Sequence, residues 1–161
     1  MNQDARYDAW SAGRHYENYM GRWSRRIADQ FLKWLEPAPE LDWLELGCGT
    51  GQDAARMIER GFDLDATDAT SALIRKAKER FGVEARQMRF DELDAIETYD
   101  AVWAHACLLH VARAELPDIL ERIRKALRPG GWHYANYKLG DGEARDPLGR
   151  LTNFPATEWL Q

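Results

Sequence analysis

The sequence predicts an α/β fold built on a doubly wound parallel sheet of about five strands. From residue 41 onward, short apolar runs alternate with longer segments whose apolar residues recur at helical spacing. Glycine and proline stand where the helical segments should end, at Gly61, Gly82 and Pro129. Because parallel strands are joined by right-handed crossovers, this alternation places helices on both faces of one sheet.

The order of these runs assigns each element. The predicted strands are residues 43–46, 64–67, 85–90, 101–105 and 132–137, and the predicted helices are residues 52–60, 71–81 and 113–127. Residues 91–99 are predicted to form a loop or a short broken helix, and residues 138–153 a loop. Ligands of such sheets bind at the carboxyl ends of the strands, so the residues that follow each strand are the candidates for chemistry.

A separate helical segment is predicted at the amino terminus. Apolar residues between positions 16 and 34 recur every three or four residues, which indicates an amphipathic helix that ends at Pro37 and Pro39. Residues 1–35 carry six basic and four acidic side chains, whereas the remainder carries 16 and 23. We therefore expect a single domain with a helical lid (1–36), a core (41–140) and a carboxyl-terminal part (141–161).

Composition excludes several classes of protein. The chain has 161 residues, 45% of them apolar and 30% charged, which is ordinary globular usage rather than that of a disordered chain. A net charge of −5 argues against a protein whose main role is to bind nucleic-acid phosphates. No apolar run could cross a membrane and no signal-peptide pattern opens the chain, so a cytoplasmic location is expected. Two cysteines without metal-ligand spacing predict neither a disulfide framework nor a metal site.

A glycine loop follows the first predicted strand. Residues 47–51 read Gly-Cys-Gly-Thr-Gly and open a predicted helix. Glycines at such a place let the backbone turn tightly and let a ligand approach closely. The dinucleotide fingerprint needs a third glycine six positions along, where this chain has Gln52. A nicotinamide cofactor is therefore disfavoured.

An acidic residue, Asp68, ends the second predicted strand, 19 residues after Gly49. A carboxylate there can accept hydrogen bonds from both hydroxyls of a ribose, which favours an adenosine ligand without a 2′-phosphate. The alternative is that Asp68 only caps the helix that begins near Ser71.

These motifs together resemble the class I S-adenosylmethionine-dependent methyltransferases, which have a Rossmann-like fold. The resemblance rests on Glu-Leu-Gly-Cys-Gly-Thr-Gly at 45–51, Asp68, Tyr-Asp-Ala-Val at 99–102 and Leu-Arg-Pro-Gly-Gly at 127–131, and it covers residues 41–139. Within that superfamily, residues 61–68 and the short connection after the third strand are similar to small-molecule enzymes of the tellurite-resistance type. The resemblance implies S-adenosylmethionine as cofactor and a small-molecule methyl acceptor.

The resemblance also implies cofactor-binding residues. The loop of Gly47, Cys48 and Gly49 would approach the methionine part of the cofactor, Glu45 would organise that loop and the cofactor amino group, and Asp68 would hold the ribose. The remaining implied positions are Asp91 or Glu92 at the adenine amino group, Leu93 and Ala69 beside the base, Ala104 and His105 at the methyl-transfer site, and Tyr19 and Arg22 on the lid.

His105 is the candidate catalytic residue. Methyl transfer from a sulfonium chiefly needs alignment of donor and acceptor, so a base matters only for an acceptor that must lose a proton. His105 ends the fourth predicted strand and could be that base or simply line the site, whereas His110 fits a structural role better. Cys107 has no obvious activating partner beyond these two histidines.

The chain departs from the family at its carboxyl-terminal part. These methyltransferases usually have seven strands, and only five are predicted here, which implies that the last helix and strands are missing. The fifth strand would then be an unpaired edge, rich in aromatic residues, through which two copies could pair. Two competing functions stay open: a non-catalytic module that binds S-adenosylmethionine or S-adenosylhomocysteine, and an oxidoreductase on the same general fold.

Overall fold

The structure is a computed structural model that describes residues 30, 32–33, 40–147 and 149–159. Residues 30, 32 and 33 are helical, and Leu32 is buried. The rest of the predicted amino-terminal helix lies outside the described residues. The same holds for Tyr19 and Arg22, so their implied roles stay predictions.

A five-stranded sheet with the order β3-β2-β1-β4-β5 forms the centre of the fold. Its strands are β1 (Asp42–Leu46), β2 (Asp63–Asp68), β3 (Arg86–Gln87), β4 (Tyr99–Ala104) and β5 (Leu127–Ala135). All neighbouring strands pair in parallel. The predicted α/β class with a parallel sheet of five strands is therefore confirmed.

Three helices connect the strands: α1 (Gln52–Glu59), α2 (Ser71–Phe81) and α3 (Leu116–Ala126). The bounds of α2 match the predicted helix, and α1 ends one residue earlier than predicted. The third helix begins at Leu116 rather than 113, with Pro117 in its first turn, where a missing N–H costs no hydrogen bond. Among the described helices, none has the length and apolar character that a membrane crossing requires.

The central strands are buried on both faces because their side chains alternate between two cores. On one face, Leu44 and Val102 pack with Ile123 of α3. On the other face, Trp43 and Trp103 pack with Met57 of α1. This packing explains why apolar residues occupy successive positions in both strands, at Trp43 and Leu44 in β1 and at residues 101–104 in β4.

The third strand is much shorter than the predicted span 85–90, and that prediction was wrong beyond Gln87. Arg86 and Gln87 are exposed and form the whole strand. A 3-10 turn, Phe90–Glu92, then begins, and Glu92 stabilises it because its carboxylate accepts a hydrogen bond from the backbone N–H of Arg89 (2.7 Å). The expectation of a broken short helix after the third strand is met by this turn.

The fifth strand begins at Leu127, five residues before the predicted start, and ends two residues early. Leu127 pairs with Tyr99 and Trp132 with Ala101, so the Pro-Gly-Gly segment bulges out of the ladder instead of preceding the strand. A side chain at Gly131 would come within 2.8 Å of the carbonyl oxygen of Asp100, so the bulge needs glycine there. In the described sheet β5 lies at an edge, and its Trp132 is 41% exposed.

An antiparallel hairpin, β6 (Glu143–Arg145) and β7 (Leu151–Asn153), replaces part of the loop predicted at 138–153. Each strand has three residues and β6 is exposed, so the sequence shows too little alternation to predict it. Asp146 closes the turn by accepting hydrogen bonds from the backbone N–H (3.0 Å) and Nε (2.6 Å) of Arg150.

Candidate functional site

From β1 the chain continues through β2 to β3 at one edge of the sheet, and from β4 it continues to β5 at the other edge. The neighbouring strands β1 and β4 therefore mark the point at which the strand order switches. A crevice forms at the carboxyl ends of two such strands, and ligands of doubly wound sheets bind there. Gly47 follows β1, and His105, Ala106 and Cys107 follow β4. The predicted glycine loop and the predicted catalytic position therefore border the same crevice.

The glycine loop is fastened to β2 and pressed against the segment after β4. The backbone N–H of Cys48 donates to the carbonyl oxygen of Thr67 (2.8 Å), and that of Gly51 donates to the carbonyl of Cys48 (2.9 Å). Gly47 has φ +68°, and a Cβ built on it would lie 2.7 Å from Cβ of Cys107. Only glycine satisfies both the left-handed backbone and this close approach.

Asp68 joins the loop to the end of β2. Its carboxylate accepts hydrogen bonds from the backbone N–H of Gly49 (2.9 Å) and of Thr70 (2.7 Å). Burial raises the pKa of Asp68, and these two hydrogen bonds oppose that rise. Asp68 thus holds the glycine loop and the start of α2 at the crevice, with Thr70 as the N-cap residue, and its contact with a ribose stays a prediction.

Glu45 is a buried acid of the site with a raised pKa. It is 3% exposed, and its Oε2 atom has no hydrogen-bond partner among the described residues. Burial, followed by the nearby carboxylates of Asp53 and Asp68, raises the pKa of Glu45 well above its ordinary value. A buried carboxyl group without a countercharge is costly, and the neighbouring acids make the region favourable for a cation.

His105 pairs with a residue that the sequence reasoning missed, Asp53. The Nδ1 atom of His105 lies 2.8 Å from Oδ2 of Asp53, and both side chains are buried. Nε1 of Trp103 donates to the same oxygen at 3.4 Å. The imidazole contacts Trp103 and Tyr134 edge-on, with ring centroids 5.7 Å apart in each case. Asp53 belongs to the buried face of α1 with Ala54 and Met57, and a lone acid on an apolar helix face was the available signal.

The turn after β4 is strained and holds no reactive thiol. Ala106 has φ +53°, an uncommon backbone conformation for alanine, and its N–H donates to Oδ1 of Asn136 (2.6 Å). The thiol of Cys107 donates to the carbonyl oxygen of Leu46 (3.0 Å). Burial, with Glu45 and Asp68 nearby, raises the pKa of both Cys48 and Cys107 above the ordinary thiol range, so neither thiol is ionised near neutral pH.

The residues predicted near adenine occupy two different environments. Asp91 and Glu92 are exposed, and both bind Arg89: its Nε donates to Asp91 (2.9 Å), and its backbone N–H donates to Glu92. Ala69 is half-buried, and Leu93 is 2% exposed within the core. Ala104 is fully buried in the same core.

The comparisons with known proteins agree with this geometry. A family model described as a methyltransferase domain matches residues 44–133, which include the glycine loop, Asp68 and His105. The chain belongs to this methyltransferase domain family. Among the described residues, no group of three or more histidine, cysteine or acidic side chains could hold a metal ion.

Relatives of this methyltransferase domain occur in larger proteins. The hybrid PKS-NRPS synthetase lepA of Aspergillus flavus is 34% identical over 120 residues, which is 66% of this chain and 3% of that protein. The methyltransferase domain thus spans a small part of the curated relatives it matches.

Solved structures share its fold. The complex of DhpI with SAH has a TM-score of 0.72 at 24% identity, covering 98% of this chain and 81% of that one. The 1,6-didemethyltoxoflavin-N1-methyltransferase of Burkholderia thailandensis has a TM-score of 0.69 at 21% identity, covering 99% and 76%.

Proposed function

We propose that this methyltransferase domain binds S-adenosylmethionine and transfers its methyl group to a small-molecule acceptor. The observation that carries the proposal is the buried carboxyl group of Glu45 beside the glycine loop, whose Oε2 atom has no hydrogen-bond partner among the described residues. Asp53 and Asp68 add negative charge to the same region. S-adenosylmethionine bears an ammonium and a sulfonium, so it supplies a countercharge that the described residues do not place at this carboxyl group.

Residues at the carboxyl ends of the strands and in the loops that follow them would each bind a different part of the cofactor. Glu45 would accept hydrogen bonds from the ammonium group, and Asp68 would accept them from the ribose hydroxyls. The other proposed contacts are the backbone of Gly47, Cys48 and Gly49 at the methionine part, Ala69, Leu93 and Asp91 or Glu92 around adenine, Tyr19 and Arg22 from the lid, and Ala104 and His105 at the methyl group.

The same electrostatics argue against a dinucleotide. A nicotinamide cofactor would bring a doubly negative pyrophosphate to the loop, where Glu45, Asp53 and Asp68 already gather negative charge. The like charges would repel one another in a buried setting. The missing third glycine at Gln52 supports the same conclusion.

Bound S-adenosylmethionine supplies an activated methyl group, so the protein needs mainly to align the acceptor and exclude water. Alignment of this kind contributes on the order of 7–11 kcal/mol to a reaction barrier. The firm attachment of the loop to β2 and to the segment after β4 supports such alignment, because it fixes the crevice walls. His105 would line the acceptor side of the crevice.

A small-molecule acceptor is supported by the structural neighbours. The Burkholderia thailandensis enzyme was solved with bound 1,6-didemethyltoxoflavin and S-adenosylhomocysteine, and DhpI with SAM and HEP. The resemblance to enzymes of the tellurite-resistance type adds tellurite to the acceptors worth testing.

The test is transfer of a radiolabelled methyl group from S-adenosylmethionine to a panel of phenols, amines, thiols and tellurite. The proposal predicts labelled product from at least one acceptor, and less of it at limiting S-adenosylmethionine after Glu45→Gln or Asp68→Ala. No labelled product from any acceptor, with S-adenosylhomocysteine still bound, would overturn methyl transfer and favour the non-catalytic binding module.

For location and assembly, we propose a cytoplasmic protein that binds neither nucleic acid nor membrane and that pairs with a second copy through the edge of β5. The exposed Trp132 on that edge supports the pairing, because an uncovered strand offers free backbone groups to a partner. Size-exclusion chromatography with light scattering should show a dimer, and a stable monomer at high concentration would refute the pairing.

A further inference from the structure

We propose that Asp53 is a positioning residue that holds His105 as a neutral general base, and that the acceptor is therefore a group that loses a proton, such as a hydroxyl or an N–H. This inference rests on the proposed function. It starts from the 2.8 Å contact between Nδ1 of His105 and Oδ2 of Asp53.

For a neutral imidazole beside an ionised carboxylate, the contact decides which nitrogen carries the proton. An ionised carboxylate can only accept hydrogen bonds, so Nδ1 of a neutral imidazole must donate to Asp53, and Nε2 is then left with its lone pair. Nε2 makes no hydrogen bond to any described residue. Since it is not one of the unpartnered polar atoms that are completely buried, a part of its surface remains exposed. The basic nitrogen thus has no partner within the described residues and is not fully enclosed.

The surroundings hold the ring in one orientation. Within the part of the chain that the structure describes, the Asp53 carboxylate, the Trp103 indole and the Tyr134 phenol face the imidazole. The two aromatic rings pack flat on each other with centroids 4.1 Å apart. Trp103 also donates to Asp53, which fixes the carboxylate. Burial and the Asp53 charge raise the pKa of Tyr134, so the phenol stays neutral. A base whose orientation is set by a third group is the arrangement that proton abstraction needs.

The location connects this pair to the reaction. His105 is the first residue after β4, at the crevice that the glycine loop borders. As the acceptor oxygen or nitrogen gains the methyl group, its proton passes to Nε2, the imidazole becomes an imidazolium beside the Asp53 carboxylate, and the sulfonium charge disappears. Atoms and charges balance without a further reactant. A soft thiolate would need no such base, so the pair argues for a protonated acceptor.

The first test reads the imidazole directly by ¹⁵N-detected NMR of histidine-labelled protein with S-adenosylhomocysteine. His105→Gln identifies the resonances. The proposal predicts a protonated, pyrrole-type Nδ1 and a bare, pyridine-type Nε2 in the wild type, and loss of this pattern in Asp53→Asn. A bare Nδ1, or both nitrogens protonated at about pH 8, would overturn it.

The second test uses kinetics, with 3,4-dihydroxybenzoate and 2-mercaptoethanol as hydroxyl and thiol probes beside the acceptor panel. His105→Gln should lower kcat on a proton-bearing acceptor by about 10²-fold or more, and Asp53→Asn by at least about tenfold, with KM little changed. The control is Trp43→Phe, which alters the same apolar core and keeps the stack on Phe62, but removes an indole N–H that has no partner among the described residues. An equal loss in the control would show a structural role and overturn the proposal.

Binding of S-adenosylhomocysteine separates the two possible failures. If the wild type does not bind it, the proposed function fails. If wild type, Asp53→Asn and His105→Gln all bind it equally and the NMR pattern is wrong, only the positioning role fails. If the wild type binds it but methylates no probe, methyl transfer fails as the function, and the general-base role of His105 fails with it.

Discussion

Replacing Gly47 by alanine should destabilise the fold more than replacing Gly49, although both glycines have left-handed backbones in the same loop. Gly47 has φ +68° and Gly49 has φ +58°. A Cβ at position 47 would lie 2.7 Å from Cβ of Cys107, whereas a Cβ at position 49 has no atom within 4 Å. The pair of variants therefore separates backbone strain from steric overlap.

The magnitudes follow from these two terms. A left-handed alanine costs about 1–2 kcal/mol and applies to both variants. Overpacking adds about 1–3 kcal/mol for Gly47→Ala alone, because Cβ of Cys107 is fixed to the backbone and cannot rotate away. The effect of alanine on the unfolded chain is shared, so it cancels in the difference. The free energy of unfolding should thus differ by about 1–3 kcal/mol between the variants.

Urea unfolding measures the difference, and a shift of about 0.5–1.5 M in midpoint is expected for a slope near 2 kcal/mol per M. Adding Cys107→Gly should recover part of the loss in Gly47→Ala and should be additive with Gly49→Ala. Equal losses for the two single alanine variants, or additivity in both double variants, would refute the close contact between the loop and the segment after β4.

Three other predictions concern charge at the crevice and beyond it. Glu45→Gln should weaken S-adenosylhomocysteine binding by about 1.5–3 kcal/mol in calorimetry. Burial raises the pKa of Glu45 above 4.5, so the free energy of unfolding of the wild type should fall as pH rises past 4.5. Above that pH, Glu45→Gln should have a larger free energy of unfolding than the wild type. An equal or smaller value would contradict the burial of a charged Glu45. Asp68→Ala should weaken the same binding by about 1–3 kcal/mol, and unchanged affinity would remove Asp68 from the ribose site. Burial lowers the pKa of His110, whose Nδ1 lies 2.6 Å from the carbonyl oxygen of Leu151, so the free energy of unfolding should fall as pH drops below 6.5. His110→Asn should make this fall smaller, as measured by urea unfolding at about pH 7.5 and about pH 5.5. An unchanged fall would contradict the lowered pKa of His110.

The parts of the fold that were predictable are those with local signals. Gly82 ends α2 at the residue where the sequence placed the helix end, because a left-handed C-cap favours glycine. The buried strands β1 and β4 were predictable because each contains neighbouring apolar residues. The glycine loop was predictable because it directly follows β1, and Asp68 because it ends β2, where a residue of this type has a known chemical use.

The parts that were missed depend on contacts between distant residues. The length of β3 is limited by a turn at Arg89 that side chains stabilise, and the early start of β5 depends on a bulge against Asp100. Asp53 and His105 are 52 residues apart and meet only because α1 packs beside β4. No periodicity in the sequence connects them, so the pairing emerges only from the fold.

The most direct test of the account is calorimetric titration of the purified chain with S-adenosylhomocysteine, with NAD as the control ligand. The account predicts that S-adenosylhomocysteine binds with one site per chain and that NAD does not bind, because the carboxylates around the glycine loop favour a cation over a pyrophosphate. Binding of NAD, or absence of S-adenosylhomocysteine binding by the folded chain, would contradict the assignment of the crevice as a site for S-adenosylmethionine.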